Sequence, residues 1–526
     1  MKKRDNGAIP QSINMNGTDL SCQPPKGQSI ESKGGIKRHE LIRFIAAHVL
    51  VLILVMSTAL PVGAEVPFLG YTFDFWGGLV PAPVAYEATR NITAADISPE
   101  LGSFSGPADF SVDRDGVVYL LDTGNNRIVV FDQELNLLRV IDGFYYDDTF
   151  ETFNSPRGIF ICFQNNIYVA DTENRRVVIL DNDGSYIGMI RDPDLGIIDD
   201  AVDFRPVRIV VDRAGRVYVT VMHVFEGIMR FDANGGFFGY FGTINVRMSL
   251  ADVFWRSIAT AEQRARQRRF IPTEFTGLDV DEHGFVFATY IGPGFMTDFV
   301  MRLNPRGNNV LTNFNPNNLI RGDQRTSFFP NSHFVDVVAR QNGVYSVLDS
   351  QRNRVFTYDA EGNLLYVFGG DGTAVGMMRT PVAIDAIGDT VMVLDAARGR
   401  IVFFEPTEYG TLINKAVGLR YQGDEAGSVE VWRELMSINE FNSLALSGVG
   451  RAHLLEGNYT LAMDYLERSM DMRYYSRALV RRRQEFAETY LPYFMTVLLV
   501  LAFGLVGRSV YRNVKGKNKR GDEVYD

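Results

Sequence analysis

The pattern of apolar and polar positions divides the chain into three regimes. Residues 41–63 (LIRFIAAHVLVLILVMSTALPVG) and 491–506 (LPYFMTVLLVLAFGLV) are almost unbroken apolar runs, long enough to read as membrane-crossing helices. Between them, from about residue 85 to 410, short runs of β-branched and aromatic residues recur, each closed by a Gly, Asp or Asn turn, the pattern of strands. Residues 430–483 then change to helical spacing and are poor in glycine after Gly457.

The strand-rich region repeats. Pro107-Ala-Asp-Phe-Ser-Val-Asp113 leads through Arg114-Asp115-Gly116 to the run ending at Asp122, then Arg127 and Phe131-Asp132. Copies follow from Pro156 (Asp171, Arg176), Pro206 (Val217-Tyr-Val219, Phe231-Asp232) and Gly277 (Phe285-Val-Phe287). The fifth has Asp349 and Arg354, and the sixth starts at Pro381 (Asp395, Arg400). The first two spacings are 49 and 50 residues. Four-strand units at this period predict a propeller, one blade per copy. The sixth copy supplies three strands, and residues 84–92 upstream offer the fourth, which would close the ring and remove an open edge.

The motif closely resembles the NHL repeat, with its Pro-x-Gly-Ile-Ala-Val-Asp, Tyr-Val-Ala-Asp and Asn-Arg-Ile-x-Val-Phe-Asp segments. The resemblance implies an all-β, six-bladed propeller over about residues 65–410, a fold that acts mainly as a recognition surface. Within 447–465, Gly450, Gly457, Tyr459 and Ala462 resemble one tetratricopeptide helix pair. A small helical hairpin serving as a stalk is the expectation for residues 411–489.

Charge changes the picture in two places. The formal net charge of −10 argues against nucleic acid as a partner. Basic residues gather before the first apolar run, so residues 1–40 are expected in the cytoplasm. Residues 41–64 are expected to be a signal peptide or signal anchor, with everything following exported. Residues 490–507 are then a transmembrane helix and 508–526 a basic cytoplasmic tail. Only Cys22 and Cys162 occur, on opposite sides of the membrane in this topology, which excludes a disulfide framework.

Four copies share Asp at a strand end and Arg five residues on: Asp122/Arg127, Asp171/Arg176, Asp349/Arg354 and Asp395/Arg400. Recurrence argues for structural ion pairs rather than four ligand sites. Copies three and four carry Thr220 and Thr289 instead. Their following loops hold Met222, His223, Phe225, Tyr290, Phe295 and Met296. Loops freed from the scaffold rule and rich in aromatics are the candidate partner-binding site. Residues 249–269 read as an amphipathic insertion helix, in which Phe254 and Trp255 are further candidates.

His223, His283 and His333 fall at different blade positions and are not expected to form a zinc site. No nucleophile elbow or phosphate loop is found, so no catalytic residue, metal or cofactor is assigned. The reading is a bacterial-type, membrane-anchored, extracytoplasmic binding, scaffold or sensor subunit for a protein or carbohydrate ligand. By analogy with NHL-like proteins of this layout it is accessory to a membrane complex such as a transporter. The alternative is a lactonase-like, metal-dependent hydrolase or lyase centred on the propeller channel.

Overall fold

The structure, a computed structural model, describes residues 66–192, 203–242, 274–291, 300–311, 322–323 and 331–521. Segment 41–64, the insertion 249–269 with Phe254 and Trp255, and Phe295 with Met296 lie outside the described residues.

Six antiparallel blades form a ring. Blade one runs Asp109–Val112, Val118–Asp122, Arg127–Phe131 and Leu137–Ile141. The innermost strands of the other blades are Gly158–Ile161, Pro206–Val211, Glu274–Val280, Phe334–Ala339 and Pro381–Ile387. Each touches the next, and the sixth returns to the first. The second strands, such as Ile167–Asp171 and Thr390–Asp395, are buried almost end to end because blades cover both of their faces. They accordingly read as continuous apolar runs. The outermost strands, such as Leu137–Ile141, alternate partly exposed and exposed positions. Burying a Val, Ile or Phe side chain contributes ~1.5–3 kcal/mol, which makes the inter-blade clusters the main cohesive term.

The last blade is completed from upstream. Tyr86–Thr93 pairs antiparallel with Arg400–Pro406, from Thr93 opposite Arg400 to Tyr86 opposite Pro406. The segment expected to close the ring therefore does so.

Strand direction fixes two faces. Turns from first to second strand and from third to fourth lie on one, here called the helix face. Turns from second to third strand, and the passages between blades, lie on the other, the loop face. The chain leaves blade six at the end of its third strand, on the helix face, and turns directly into Glu408–Tyr421. Thr407 caps this helix by accepting from the Gly410 N–H at 3.3 Å.

Where a hairpin was expected there are five helices: Glu408–Tyr421, Glu425–Ile438, Ser443–Leu455, Tyr459–Arg468 and Met472–Gly521. The first does not stand away from the ring. Its Tyr409, Leu412, Ile413, Ala416 and Val417 share one hydrophobic cluster with Ala85, Tyr86, Tyr366 and Phe368 of blades five and six. Gly410 obscured this helix in the sequence, yet the glycine is what lets it dock, since a Cβ there would collide with the Ala85 carbonyl.

The last helix has 50 residues. Its first turns pack Tyr474, Tyr475 and Ala478 against Ala462 and Leu466. From Val480 to Lys515 it is exposed, and this stretch contains an apolar window of mean hydropathy 2.0, none of it buried, long enough to cross a membrane.

Candidate functional site

Three of the four Asp–Arg spacings bring their charges together. Arg127 Nε lies 2.9 Å from Asp122, Arg176 Nε 2.8 Å from Asp171, and Arg400 Nε 3.7 Å from Asp395. Blade five departs from the rule. Arg354 turns to Asp323 (2.8 Å), which also takes Arg352 (2.9 Å) and the Tyr71 hydroxyl (2.9 Å). Asp323 is remote in sequence, so no local spacing could reveal it.

Each strand-end Asp has a second task. Asp122, Asp171, Asp349 and Asp395 accept backbone N–H groups from Ser105, Asn154, His333 and Thr380, at 2.7, 2.7, 2.8 and 3.0 Å. These bonds tie the second strand of a blade to the lead-in of its first. In blade three the Thr220 hydroxyl takes over this kind of contact, accepting from the Arg208 N–H at 3.0 Å. In blade four Thr289 meets the Thr276 hydroxyl at 2.8 Å.

The candidate loops separate on inspection. His223 and Phe225 are exposed on the loop face, while Met222 is half-buried. His223 holds φ +62°, a left-handed conformation costly for a side chain of this size. Tyr290 is not a loop residue. It is the penultimate residue of a strand, is buried, and packs its ring 6.2 Å from Phe275. The strand runs to Ile291, two residues further than the motif suggested, which draws Tyr290 into the core.

The sequence reading overlooked a hairpin that also carries exposed aromatics. Gly143–Tyr146 and Thr149–Thr152 form it between blades one and two. Its turn, Asp147-Asp148, has φ of 46° and 61°, a geometry that matches strand twist. Phe144 is buried under it, stacking on Tyr186 at 5.6 Å, while the cross-strand pair Tyr145 and Phe150 is exposed. The alternation Phe-Tyr-Tyr-Asp-Asp-Thr-Phe was the available signal.

The three propeller histidines stay apart. His223 is on the loop face, His283 sits on the helix face 3.2 Å from the Tyr421 hydroxyl, and His333 lies by Ser350. Among the described residues, no three His, Cys, Asp or Glu side chains are grouped to hold a metal ion.

Ionisable side chains also gather at the axis. Asp109, Asp279, Asp336 and Asp385 project from innermost strands, and each accepts a backbone N–H of the neighbouring blade. The donors are Ile159 (3.0 Å), Ala339 (2.6 Å), Ile384 (3.0 Å) and Val112 (2.8 Å). Four of the six blade junctions are therefore stapled by a carboxylate. Burial pushes all four carboxyls above the usual range, Asp279 to about 7.

Arg208, from blade three, reaches across this centre. Its guanidinium meets Asp109 of blade one, donates to the Val382 carbonyl of blade six at 2.7 Å, and lies 3.9 Å from Asp336 of blade five. One side chain thus joins four blades through the axis.

The sequence model of the NHL repeat matches residues 104–131, which are the first three strands of blade one and their lead-in. No curated protein matches the sequence. Among solved structures, virginiamycin B lyase from Staphylococcus aureus is similar, with 10% identity, TM-score 0.39, and coverage of 61% of this chain and 99% of that one. The extracellular domain of a proposed one-component system from B. thetaiotaomicron is similar at 12% identity and TM-score 0.36, covering 65% of this chain and 38% of that one. A proposed gluconolactonase has 12% identity, TM-score 0.38, and coverage of 65% and 98%.

Proposed function

We propose that this chain is a membrane-anchored, extracytoplasmic binding module that presents the loop face of its propeller to a protein or carbohydrate ligand. The observation that carries the reading is the separation of the two faces. The exit to the helices, and through them to the exposed apolar helix, is on one side. His223 and Phe225 are exposed on the other, and Tyr145 and Phe150 are exposed on the hairpin between blades one and two. A ring held from its helix face leaves its aromatic loops free for a partner. Residues 41–64 serve as signal or anchor and 508–526 as cytoplasmic tail. The module then acts as the accessory subunit of a membrane complex such as a transporter.

The helical segment supports a tetratricopeptide-like reading. Glu408–Tyr421 and Ser443–Leu455 begin 35 residues apart, and Glu425–Ile438 and Tyr459–Arg468 begin 34 apart. Two helix pairs at that period bury one another's faces, as such repeats require.

Arg208 favours binding over channel chemistry. A guanidinium fixed at the axis occupies the space that a channel-bound cation and substrate would need, and its charge opposes a cation there.

The test is capture from detergent-solubilised membranes with the full chain as bait. Phe225→Ala combined with Tyr145→Ala should weaken partner recovery at least tenfold with the melting temperature unchanged, because both side chains are solvent-exposed. Undiminished recovery would move the site off the loop face. Protease added to intact cells should digest the propeller and spare a tail epitope; loss of the tail from outside would reverse the topology.

A further inference from the structure

A second site lies on the opposite face, where the first helix meets the closing blade. A cavity of about 310 Å³ opens between Glu408–Tyr421 and the first-to-second-strand turns of blades five and six. Arg340, Asn342, Asp389, Thr411, Lys415 and Gln422 contribute polar groups to its wall, beside an apolar share of similar size that includes Val344 and Leu419. At its base the Arg340 side chain is only 3% exposed. It donates to the Tyr86 hydroxyl at 2.7 Å, the Tyr366 hydroxyl at 3.0 Å and the Asp389 carboxylate at 2.9 Å. Asn414 bonds Tyr86 and Asp389 as well, both at 2.9 Å. Such a network is rigid and fully spoken for, so it forms a floor rather than a ligand hook.

The walls above that floor are different. Lys415 is exposed, and among the described residues it has no ion-pair partner. Among the described residues the Thr411 hydroxyl makes no side-chain hydrogen bond, and the Asn342 amide uses only its oxygen, accepting from Gln422 at 3.0 Å. Arg340 and Lys415 set against Asp389 leave the cavity one positive charge in excess. Unspent hydroxyl and amide groups around an unpaired ammonium suit a small anion that also carries hydroxyls.

We infer that this cavity binds a small hydroxylated carboxylate, with Lys415 meeting the carboxylate and Thr411, Asn342 and Gln422 meeting hydroxyls. The ligand bridges the first helix and two blade turns, so it clamps the helical segment onto the seam where the ring closes. This site is independent of the loop-face reading, being on the other side of the propeller.

The experiment uses the full chain in detergent, titrated with gluconate, and with sorbitol as the uncharged counterpart, by calorimetry and thermal shift. Gluconate should bind and raise the melting temperature, sorbitol should bind at least tenfold more weakly, and Lys415→Met should cost gluconate at least tenfold in affinity. Because Lys415 is exposed, the ligand-free melting temperature of that variant should match the parent. As a second variant, Thr411→Val should weaken both compounds by a similar factor. Absence of gluconate binding, equal binding of the two compounds, or Lys415→Met binding gluconate as the parent does would each overturn the assignment. Undiminished partner capture by the loop-face variant with gluconate binding intact would count against the proposed function and leave this site standing.

Discussion

Replacing Arg208 by Met removes the side chain that crosses the axis while keeping a similar stem length and volume. Asp109 and Asp336 are then left buried without their cation. Breaking one partner of a buried pair costs ~3–5 kcal/mol, because the surviving charge stays desolvated. A ring of about 320 residues gains on the order of 0.7 kcal/mol/K of unfolding entropy, so ~4 kcal/mol corresponds to a fall of about 6 °C in melting temperature. The sign of the pH dependence follows from the same carboxyls. Both already have folded pKa values raised by burial, and losing the guanidinium raises them further. A group whose folded pKa exceeds its unfolded one carries a penalty above the folded value that is relieved as pH falls. The defect should therefore be larger near about pH 8 than near about pH 5.5. Far-UV circular dichroism melts of the full chain in detergent, parent and variant at both pH values, read this directly. A fall of less than about 1 °C at the higher pH, or an equal fall at both, would refute the cross-brace argument.

Other expectations follow from single contacts. Asp279→Asn should flatten part of the stability loss that the parent shows as pH rises from about 4 to 7, since burial holds this carboxyl at about 7; an unchanged pH profile would count against it. Deleting residues 86–93 should expose the edge of Arg400–Pro406 and yield aggregates by light scattering, whereas a monodisperse product of parental stability would contradict the closure described. His223→Gly should raise stability by ~0.5–1 kcal/mol in thermal melts by releasing a left-handed strain, and a neutral or destabilising result would show that the loop imposes none.

The repeat made the propeller legible because each blade writes its strands locally, and the missing fourth strand of the sixth copy pointed to the segment upstream. Local spacing also placed Asp122 with Arg127 and Asp171 with Arg176. It failed at Arg354, whose partner Asp323 comes from the passage between blades, and at Tyr290, where the strand runs on past the motif. Of the axial carboxylates, Asp109 stood in plain sight within the first copy of the motif. That Asp109, Asp279, Asp336 and Asp385 converge is a property of ring closure, which no single blade encodes. Helical spacing was legible only from residue 430, because Gly410, Gly418 and Gly427 lower helix propensity across the first helix and the start of the second. At Gly410 the cost is offset by close approach to the ring.

The closing strand makes the order of synthesis matter. Tyr86–Thr93 emerges first, and its partner Arg400–Pro406 emerges some three hundred residues later. Until then the early strand has no mate, so no partial chain can complete the ring. A ribosome that stops short releases a product with two open edges. The first helix begins two residues after that partner strand and buries itself on the same seam, so closure and helix docking fall at one moment. Only a chain finished through the last blade earns both, which makes the seam a built-in check on completeness.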